Sequence, residues 1–470
     1  MTTLRRIALC TAPLWLAACA VTAPPPMAPA PIPVQWHAPL PHAGTLGDLS
    51  QWWTQLDDPV LLQLMDAAQQ ASPGIASARS RIEQARATRT TAGAALLPAV
   101  DGAASTQRGF TESVGGIATT TQGALQAAWE IDLFGANRAA SDAAQARLDG
   151  AQALWHDARV AVAAELATSY NRQRTCTAQL VVAQSDAASR AETARLTGLS
   201  ADAGFQPPAT AALARASSAE ASGRVTQQQA LCDTEVKALV ALTALDEPAV
   251  RQLLAQAPAQ KNQTSLFTIA AVPAQVLAQR PDVFNAERDV AAASADVGTA
   301  QAQRYPRLTL NGSIGLAQLR TGGVSTSLDT WSIGPLALTV PIFDGGRRAA
   351  NVDATQARYD EAAALYRARV RQAVREVEEA LVQLQSTAAR QTDTARAVDG
   401  YRASFTATQA RFDAGLASLV ELEDARRTLL AAQTTATALQ GERMAAWIAL
   451  YRAAGGAWKQ SQADTSSSPS

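Results

Sequence analysis

The chain repeats itself, and each copy contains a candidate pair of β-strands. The motif "LLPAVDG" in the first copy corresponds to "RYPRLTLNG" in the second, and "WEIDLFG" corresponds to "TVPIFDGG". Three matched pairs show an offset that stays between 208 and 211 residues: Pro98 and Pro306, Phe134 and Phe343, Gly204 and Gly415. An offset this steady indicates an internal duplication. Two short hairpins are too few to close a barrel, so the duplication predicts an oligomeric pore.

The candidate strands alternate apolar and polar residues, as expected of membrane strands with one wet face. In the second copy Leu308, Leu310 and Ile314 occupy every second position. The polar positions that we predict to face a lumen are Glu130, Asp132, Thr309 and Asn311. A soluble hairpin with one buried face is the alternative. The long helical patterns on both sides and the acidic residues on the polar face favour the interpretation as membrane strands.

Two sequence features indicate interruptions between or within these strands. Stretches rich in Gly, Ser and Thr at 109–120 and 318–330 are predicted to be connecting loops at the cell surface. Gly334-Pro335 shifts the phase of the alternation in the last strand, which predicts a β-bulge there.

Helical segments with coiled-coil spacing follow each hairpin. Apolar residues in the second copy step by four and three, which predicts supercoiled helices. These residues are Val370, Val374, Val377, Leu381, Leu384 and Ala388. The first copy keeps the spacing but has polar Ser169 and Gln173 within it. A continuous helix from Phe134 to Gly204 would be about 100 Å long, which suits a tube in the periplasm.

The N-terminus has the features of an export signal. Arg5 and Arg6 precede a short apolar run that ends in Leu-Ala-Ala-Cys19, the pattern of a bacterial lipobox. We therefore predict cleavage after residue 18, acylation of Cys19 and sorting to the outer membrane. A plain signal peptide with an incidental cysteine is the alternative. No apolar stretch is long enough for a spanning helix, so a membrane crossing must use strands.

The predicted organisation has five segments. A signal peptide covers 1–18, a Pro- and Ala-rich tether covers 19–50, and a disordered tail covers 459–470. The first repeat covers 51–248, with strands at about 98–133 and a helical hairpin at about 134–248. The second repeat covers 249–458, with strands at about 305–343 and a hairpin at about 344–455.

Composition argues against several functional classes. The formal net charge is −1, so nothing in the charge suggests nucleic-acid binding. The three histidines are scattered, and the sequence lacks a phosphate loop, a metal-ligand motif and a nucleophile elbow. We predict that the protein is not an enzyme and has no cofactor or metal.

Cys176 and Cys232 form a candidate disulfide. Each lies 28 residues from Gly204. If Gly204 marks the tip of an antiparallel helical hairpin, the two residues face each other about 40 Å from that tip. An oxidising periplasm permits the bond. Two buried free thiols are the alternative.

With these motifs in place, the chain resembles the TolC-like outer membrane factors, and among them the lipoprotein exit ducts of tripartite drug efflux pumps. The similarity covers Trp52 to Trp458 and includes "WWTQLDDPVLLQLMDAA", "WEIDLFG", "QRPDVFNAERDV", "VPIFDGGRR" and "ARFDAGLASLVELEDARR". The resemblance implies a mixed α/β membrane fold in which each chain gives four strands. A homotrimer would then form one 12-stranded barrel continuous with a coiled-coil tunnel. Strand counting alone also permits a dimer.

The resemblance also implies a gate and docking sites. It places Val420 at an apolar constriction, Asp424 in an acidic ring and Glu421 at a second acidic position. An ordinary solvated helix charge is the alternative for Asp424. Glu423 stands where an apolar residue is usual, which predicts extra negative charge at the gate. Gly204 and Gly415 correspond to hairpin tips that a periplasmic adaptor approaches.

The function predicted from this resemblance is passive export through the outer membrane. The partners are a periplasmic adaptor (membrane fusion protein), an inner-membrane RND-type transporter and outer-membrane lipid. Two alternatives remain: a type I protein-secretion duct of the same fold and a non-conducting coiled-coil envelope scaffold. A periplasmic coiled-coil adaptor would need a soluble lipoyl-like or β-barrel domain between its coil halves, where the sequence has only membrane-type hairpins.

Overall fold

The computed structural model describes residues 21–38, 52–112, 115–258, 276–456 and 458. The predicted signal peptide, Cys19 and the tail at 459–470 lie outside the described residues. The described chain divides into two compact units. The first contains residues 21–31, 78–154 and 282–369, and the second contains most of the rest.

The elements follow the duplicated order of the sequence. The helices are α1 (Trp52–Gln55), α2 (Pro59–Ala71), α3 (Pro73–Ala94), α4 (Ala136–Asp202), α5 (Pro208–Thr243), α6 (Glu247–Ala255), α7 (Pro281–Ala302), α8 (Arg347–Asp413) and α9 (Leu419–Ala453). The strands are β1 (Ala99–Thr111), β2 (Gly116–Ile131), β3 (Arg307–Thr321) and β4 (Val324–Thr339). Within the described ranges, no helix is both long enough and apolar enough to cross a bilayer.

The first unit contains one antiparallel sheet with the strand order β1-β2-β3-β4. The two predicted hairpins are therefore joined, because β2 of the first copy pairs with β3 of the second. Within this sheet, β1 and β4 each have a partner on one side only.

The sheet has one apolar and one polar face. Cross-strand partners share a face, and Leu125, Ile314 and Trp331 form one apolar row. This face is uncovered in the single chain: Trp331 is 74% exposed and Ile333 is 86% exposed. The pairing places the predicted lumenal residues Glu130, Thr309 and Asn311 together on the opposite face. Asp132 follows the end of β2, and its Oδ2 accepts from the N–H of Arg138 in the first turn of α4 at 2.8 Å.

The prediction of connecting loops at 109–120 and 318–330 was wrong. Most of their residues extend the strands, because their threonines are β-branched and suit the pleated conformation. The second connection is only Gly322-Gly323, and both residues have positive φ, as a two-residue hairpin turn requires. The bulge predicted at Gly334-Pro335 is confirmed. The pairing register shifts there, between Leu310 and Gly312 on β3.

The second unit has an apolar core built from its helices. Trp52 is fully buried and stacks on Tyr451 with 4.8 Å between ring centroids. Much of the predicted coiled-coil seam is buried, including Val377 and Leu381. Ala388 was predicted as part of this seam but is exposed, and the neighbouring Thr387 is buried instead.

The described part of the predicted tether, residues 21–38, is neither helix nor strand and is bound by side chains. In the first unit, Tyr359 Oη donates to the carbonyl of Pro25 at 3.0 Å, and Arg367 Nε donates to that of Pro29 at 3.1 Å. In the second unit, the Glu378 carboxylate accepts the N–H groups of His37 and Ala38 at 2.6 and 2.8 Å. Proline lacks an N–H, so Pro25 and Pro29 are held through their carbonyls, and the non-proline residues His37 and Ala38 supply N–H donors.

Candidate gate near the helical hairpin tips

The two helical hairpins of the second unit end in equivalent turns. Gly204 follows α4 with φ +79°, and Gly415 follows α8 with φ +73°. The N–H of Phe205 donates to the carbonyl of Ser200 at 2.9 Å, and that of Leu416 to Arg411 at 2.7 Å. These are the six-to-one bonds of a helix C-cap, in which glycine adopts the left-handed conformation at the lowest cost. The left-handed conformation at each tip therefore explains why glycine occupies positions 204 and 415.

The predicted gate residues lie at the start of α9. Val420 is 65% exposed, and Asp424 lies one turn further along the same helix face. The exposed Asp424 carboxylate forms an ion pair with Arg427. An apolar and an acidic side chain are thus presented together on one exposed strip.

Glu421 caps the helix that carries this strip. Ser418 Oγ accepts from the N–H of Glu421 at 3.2 Å, and Glu421 Oε2 accepts from the N–H of Ser418 at 2.7 Å. This reciprocal capping box satisfies two amide groups at the helix end. Hydrogen bonds from the backbone and side chain of Ser418 lower the pKa of Glu421. The geometry gives Glu421 a structural role in the single chain.

The expectation that Glu423 adds negative charge at the gate was wrong. Its carboxylate is largely buried and accepts from Arg190 of α4 and from Ser217 Oγ of α5, the latter at 2.8 Å. Arg426, one turn along α9, donates to its other oxygen at 2.6 Å. Two arginines therefore balance the charge of Glu423 inside the helical packing.

This cluster extends into a network of ions, all of them buried or largely buried except Arg224. Asp186 accepts from Arg190 and from Arg224 of α5, both at 3.0 Å. Arg426 donates to Thr193 Oγ1 at 3.0 Å, and its guanidinium lies 5.5 Å from the ring centroid of Phe405 in α8. Burial lowers the pKa of Arg426. We refer to Asp186, Arg190, Arg224, Glu423 and Arg426 as the tip network.

Sequence periodicity does not predict the tip network, although two spacings point to it. Asp186 and Arg190 have i,i+4 spacing, and Glu423 and Arg426 have i,i+3 spacing. Either pair alone resembles an ordinary surface pair, and only the folded structure shows that α4 and α9 bring them together.

A covalent bond joins the first hairpin. Cys176 of α4 and Cys232 of α5 form a disulfide with their Cα atoms 5.5 Å apart. No group of three or more His, Cys, Asp or Glu in the described part of the chain is arranged to hold a metal ion.

Known proteins are similar to this chain in sequence and in fold. The family profile described as outer membrane efflux protein matches residues 64–245 and 272–456. The solvent efflux pump outer membrane protein SrpC of Pseudomonas putida is 30% identical over 86% of this chain and 87% of its own length. The pyoverdine export outer membrane protein OpmQ of Pseudomonas aeruginosa is 30% identical over 97% of this chain and 98% of its own. The solved outer-membrane channel OprN is 26% identical, with a TM-score of 0.79, over 93% of this chain and 99% of that one. The chain belongs to the outer membrane efflux protein family.

Proposed function

We propose that this protein is the outer membrane exit duct of a tripartite efflux system that exports drugs or other small toxic compounds. One observation carries the proposal most directly: a four-stranded sheet with an uncovered apolar face, in a chain of the outer membrane efflux protein family. The apolar positions from Leu308 to Leu316 extend about 26 Å along β3. That length is close to the apolar band of about 25 Å in outer-membrane barrels.

A homotrimer completes the sheet. Strands β1 and β4 have unpaired edges, which cannot remain open in lipid. Three copies joined edge to edge would form a 12-stranded barrel, and their long helices would form a coiled-coil tunnel in the periplasm. Acylated Cys19 adds a lipid anchor in the outer membrane.

The exposed strip on α9 forms the gate in this proposal. Around a threefold axis, one Val420 per chain gives an apolar constriction and one Asp424 per chain gives a ring of carboxylates. Such a ring attracts cations and repels anions. The tip network holds α9 to α4, so opening the gate requires the Arg190–Glu423 contact to rearrange.

A periplasmic adaptor docks on the hairpin tips, and an inner-membrane RND-type transporter supplies the energy. The equivalent turns at Gly204 and Gly415 support two related contacts per chain. The tips differ in sequence, because Phe205 is 83% exposed and is followed by Pro207-Pro208. We therefore expect the two contacts to differ in specificity.

Reconstitution of the purified full chain tests the proposal. We expect a detergent-solubilised trimer that gives discrete single-channel currents in planar bilayers. Deletion of the gene should also sensitise cells to small toxic compounds, and re-expression should restore resistance. A purified monomer without channel activity would contradict the proposal of an exit duct. If deletion of the gene abolishes protein secretion without sensitising the cells, a protein-secretion duct would be favoured.

A further inference from the structure

The apolar face of the sheet becomes polar and then cationic toward the hairpin turns. On β3, alternate residues of this face are Ile314, Leu316, Gln318 and Arg320, and all four are exposed. The turn at Gly322-Gly323 follows, at the end of the sheet farthest from α7 and α8. Because alternate residues of a strand share a face, Arg320 lies on the same face as Leu316, about 13 Å beyond it. The apolar band therefore ends before this arginine.

Strand pairing places a second arginine in the same row. Arg320 pairs with Thr119 of β2, and Thr119 pairs on its other side with Arg108 of β1. Ser325 of β4 is the partner of Arg320 on its remaining side. Cross-strand partners share a face, so these four residues form one row, which we call the rim row. The Cα atoms of its two arginines are two strand spacings, or about 10 Å, apart.

Neither arginine of the rim row has a counter-charge. Both side chains are exposed, and in the described part of the chain neither forms an ion pair with a carboxylate. The acidic residue of β4 on this face is Asp329, which pairs with Leu316 and thus lies about 13 Å from the row. Two long guanidinium side chains on either side of Thr119 can converge on one anion. Guanidinium groups bind phosphate with two parallel hydrogen bonds, which makes phosphate the anion that fits best.

An aromatic side chain lies directly beyond the rim row. Phe110 is two residues from Arg108 on the same face of β1, and it pairs with Ile117 of β2. Both side chains are largely exposed, Phe110 by 70% and Ile117 by 62%. The apolar C–H face of a sugar ring packs well on an exposed aromatic ring. The combination of two arginines, hydroxyl groups and a phenyl ring therefore suits a phosphorylated sugar better than a bare phosphate.

We propose that the rim row binds the phosphorylated glycolipid of the outer leaflet of the outer membrane. The acyl chains of the lipid contact the apolar face, a phosphate binds Arg108 and Arg320, and the adjoining sugar packs on Phe110. Arginine on the lipid-facing side of a barrel is costly at the bilayer centre and tolerated near the interface, which agrees with a row at headgroup level. The proposal rests on the proposed function, in which the sheet spans the outer membrane with its hairpin turns toward the cell surface.

Titration with lipid A, a glycolipid that carries two phosphates, tests the proposal. Native mass spectrometry of the purified full-length protein in detergent should detect saturable binding. We expect R108Q/R320Q to weaken this binding about tenfold, because both phosphate ligands are lost. R108K/R320K should give an intermediate affinity, because lysine keeps the charge but lacks the planar fork. The control R396Q/R402Q removes two exposed arginines of α8 and the same net charge, and it should leave the affinity unchanged.

Two comparisons identify the class of lipid. Lipid A without its phosphates should bind about tenfold more weakly than the phosphorylated form. Phe110→Ala should weaken lipid A binding about threefold and leave the binding of phosphatidylglycerol, an anionic lipid whose headgroup has no sugar ring, unchanged.

Three results would overturn the proposal: no saturable binding of lipid A, equal affinities for the parent and R108Q/R320Q, or equal affinities for lipid A and phosphatidylglycerol. Size analysis and bilayer recordings on the same samples separate this proposal from the proposed function. A conducting trimer that does not bind lipid A rejects the rim row alone. A monomer without conductance rejects the duct and the rim row with it.

Discussion

Arg190 of α4 donates to the carboxylate of Glu423 in α9, and the two side chains are only 9% and 18% exposed. The contact joins the first helical hairpin of the chain to the second. An ion pair with so little solvent is costly to break on one side only, because the remaining charge stays buried without compensation.

Removal of Glu423 should therefore destabilise the protein. We expect Glu423→Ala to lower the free energy of unfolding by about 3 kcal/mol, because it leaves buried Arg426 without a carboxylate and leaves Arg190 with Asp186 alone. Denaturant unfolding in detergent measures this change. Glu442→Ala removes an exposed carboxylate of α9 that pairs with Arg390, and it should change stability by less than about 0.5 kcal/mol. Equal effects of the two substitutions would contradict the importance of burial.

Truncation of the exposed strip on α9 should widen the pore. We expect Val420→Ala combined with Asp424→Ala to raise single-channel conductance several-fold and to sensitise cells to large antibiotics. Asp399→Ala removes an exposed carboxylate of α8 that is paired with Arg402, so it serves as the control. Unchanged conductance in the double variant would show that Val420 and Asp424 do not form the gate.

The disulfide should add stability by restricting the unfolded chain. It closes a loop between residues 56 positions apart, for which the chain-entropy relation gives about 4 kcal/mol. We expect the double variant Cys176→Ser/Cys232→Ser to lose stability of this order and to become insensitive to reductant. The reduced parent protein should resemble the variant. Mass spectrometry that finds two free thiols in protein purified from the outer membrane would rule out this contribution.

Charge on the apolar face of the sheet should prevent membrane insertion. Arginine at a lipid-facing position costs about 2–4 kcal/mol at the bilayer centre. We therefore expect Ile333→Arg to reduce the amount of protein in outer-membrane fractions. Ser332→Arg places the same charge on the neighbouring residue, which points to the polar face, and it should be tolerated. Equal losses for both variants would mean that the assignment of the two faces is wrong.

The N-terminus of α9 should become less stable in acid. Hydrogen bonds from Ser418 hold the pKa of Glu421 below its ordinary value, so the carboxylate supports the cap above the unfolded pKa of about 4.3. This support is lost as the pH falls through the lowered folded pKa. We expect the amides of Ser418, Glu421 and Leu422 to lose protection from exchange, corrected for intrinsic rates, as the pH falls below that unfolded value. Glu421→Gln should abolish that pH dependence, and an unchanged profile would argue against the cap.

Sequence periodicity predicted the elements that depend on repeated apolar positions. The seam through Val377 and Leu381 and the alternation around Leu310 both follow from burial or lipid contact at regular spacing. The strand ends were harder to predict, because Gly, Ser and Thr occur both in loops and in strands that face water. The pairing of β2 with β3 and the tip network depend on contacts between distant segments, which local patterns do not encode.

The pairing of β2 with β3 has a consequence for biogenesis. Synthesis of β2 ends at Ile131, whereas β3 begins only at Arg307. During export, the edge of β2 therefore stays unpaired, and the apolar face of the first hairpin stays exposed, until most of the polypeptide has crossed the inner membrane. Contacts this distant in sequence form slowly and leave strands open to aggregation in the meantime. Maturation of this chain should consequently depend on periplasmic chaperones that shield the early hairpin.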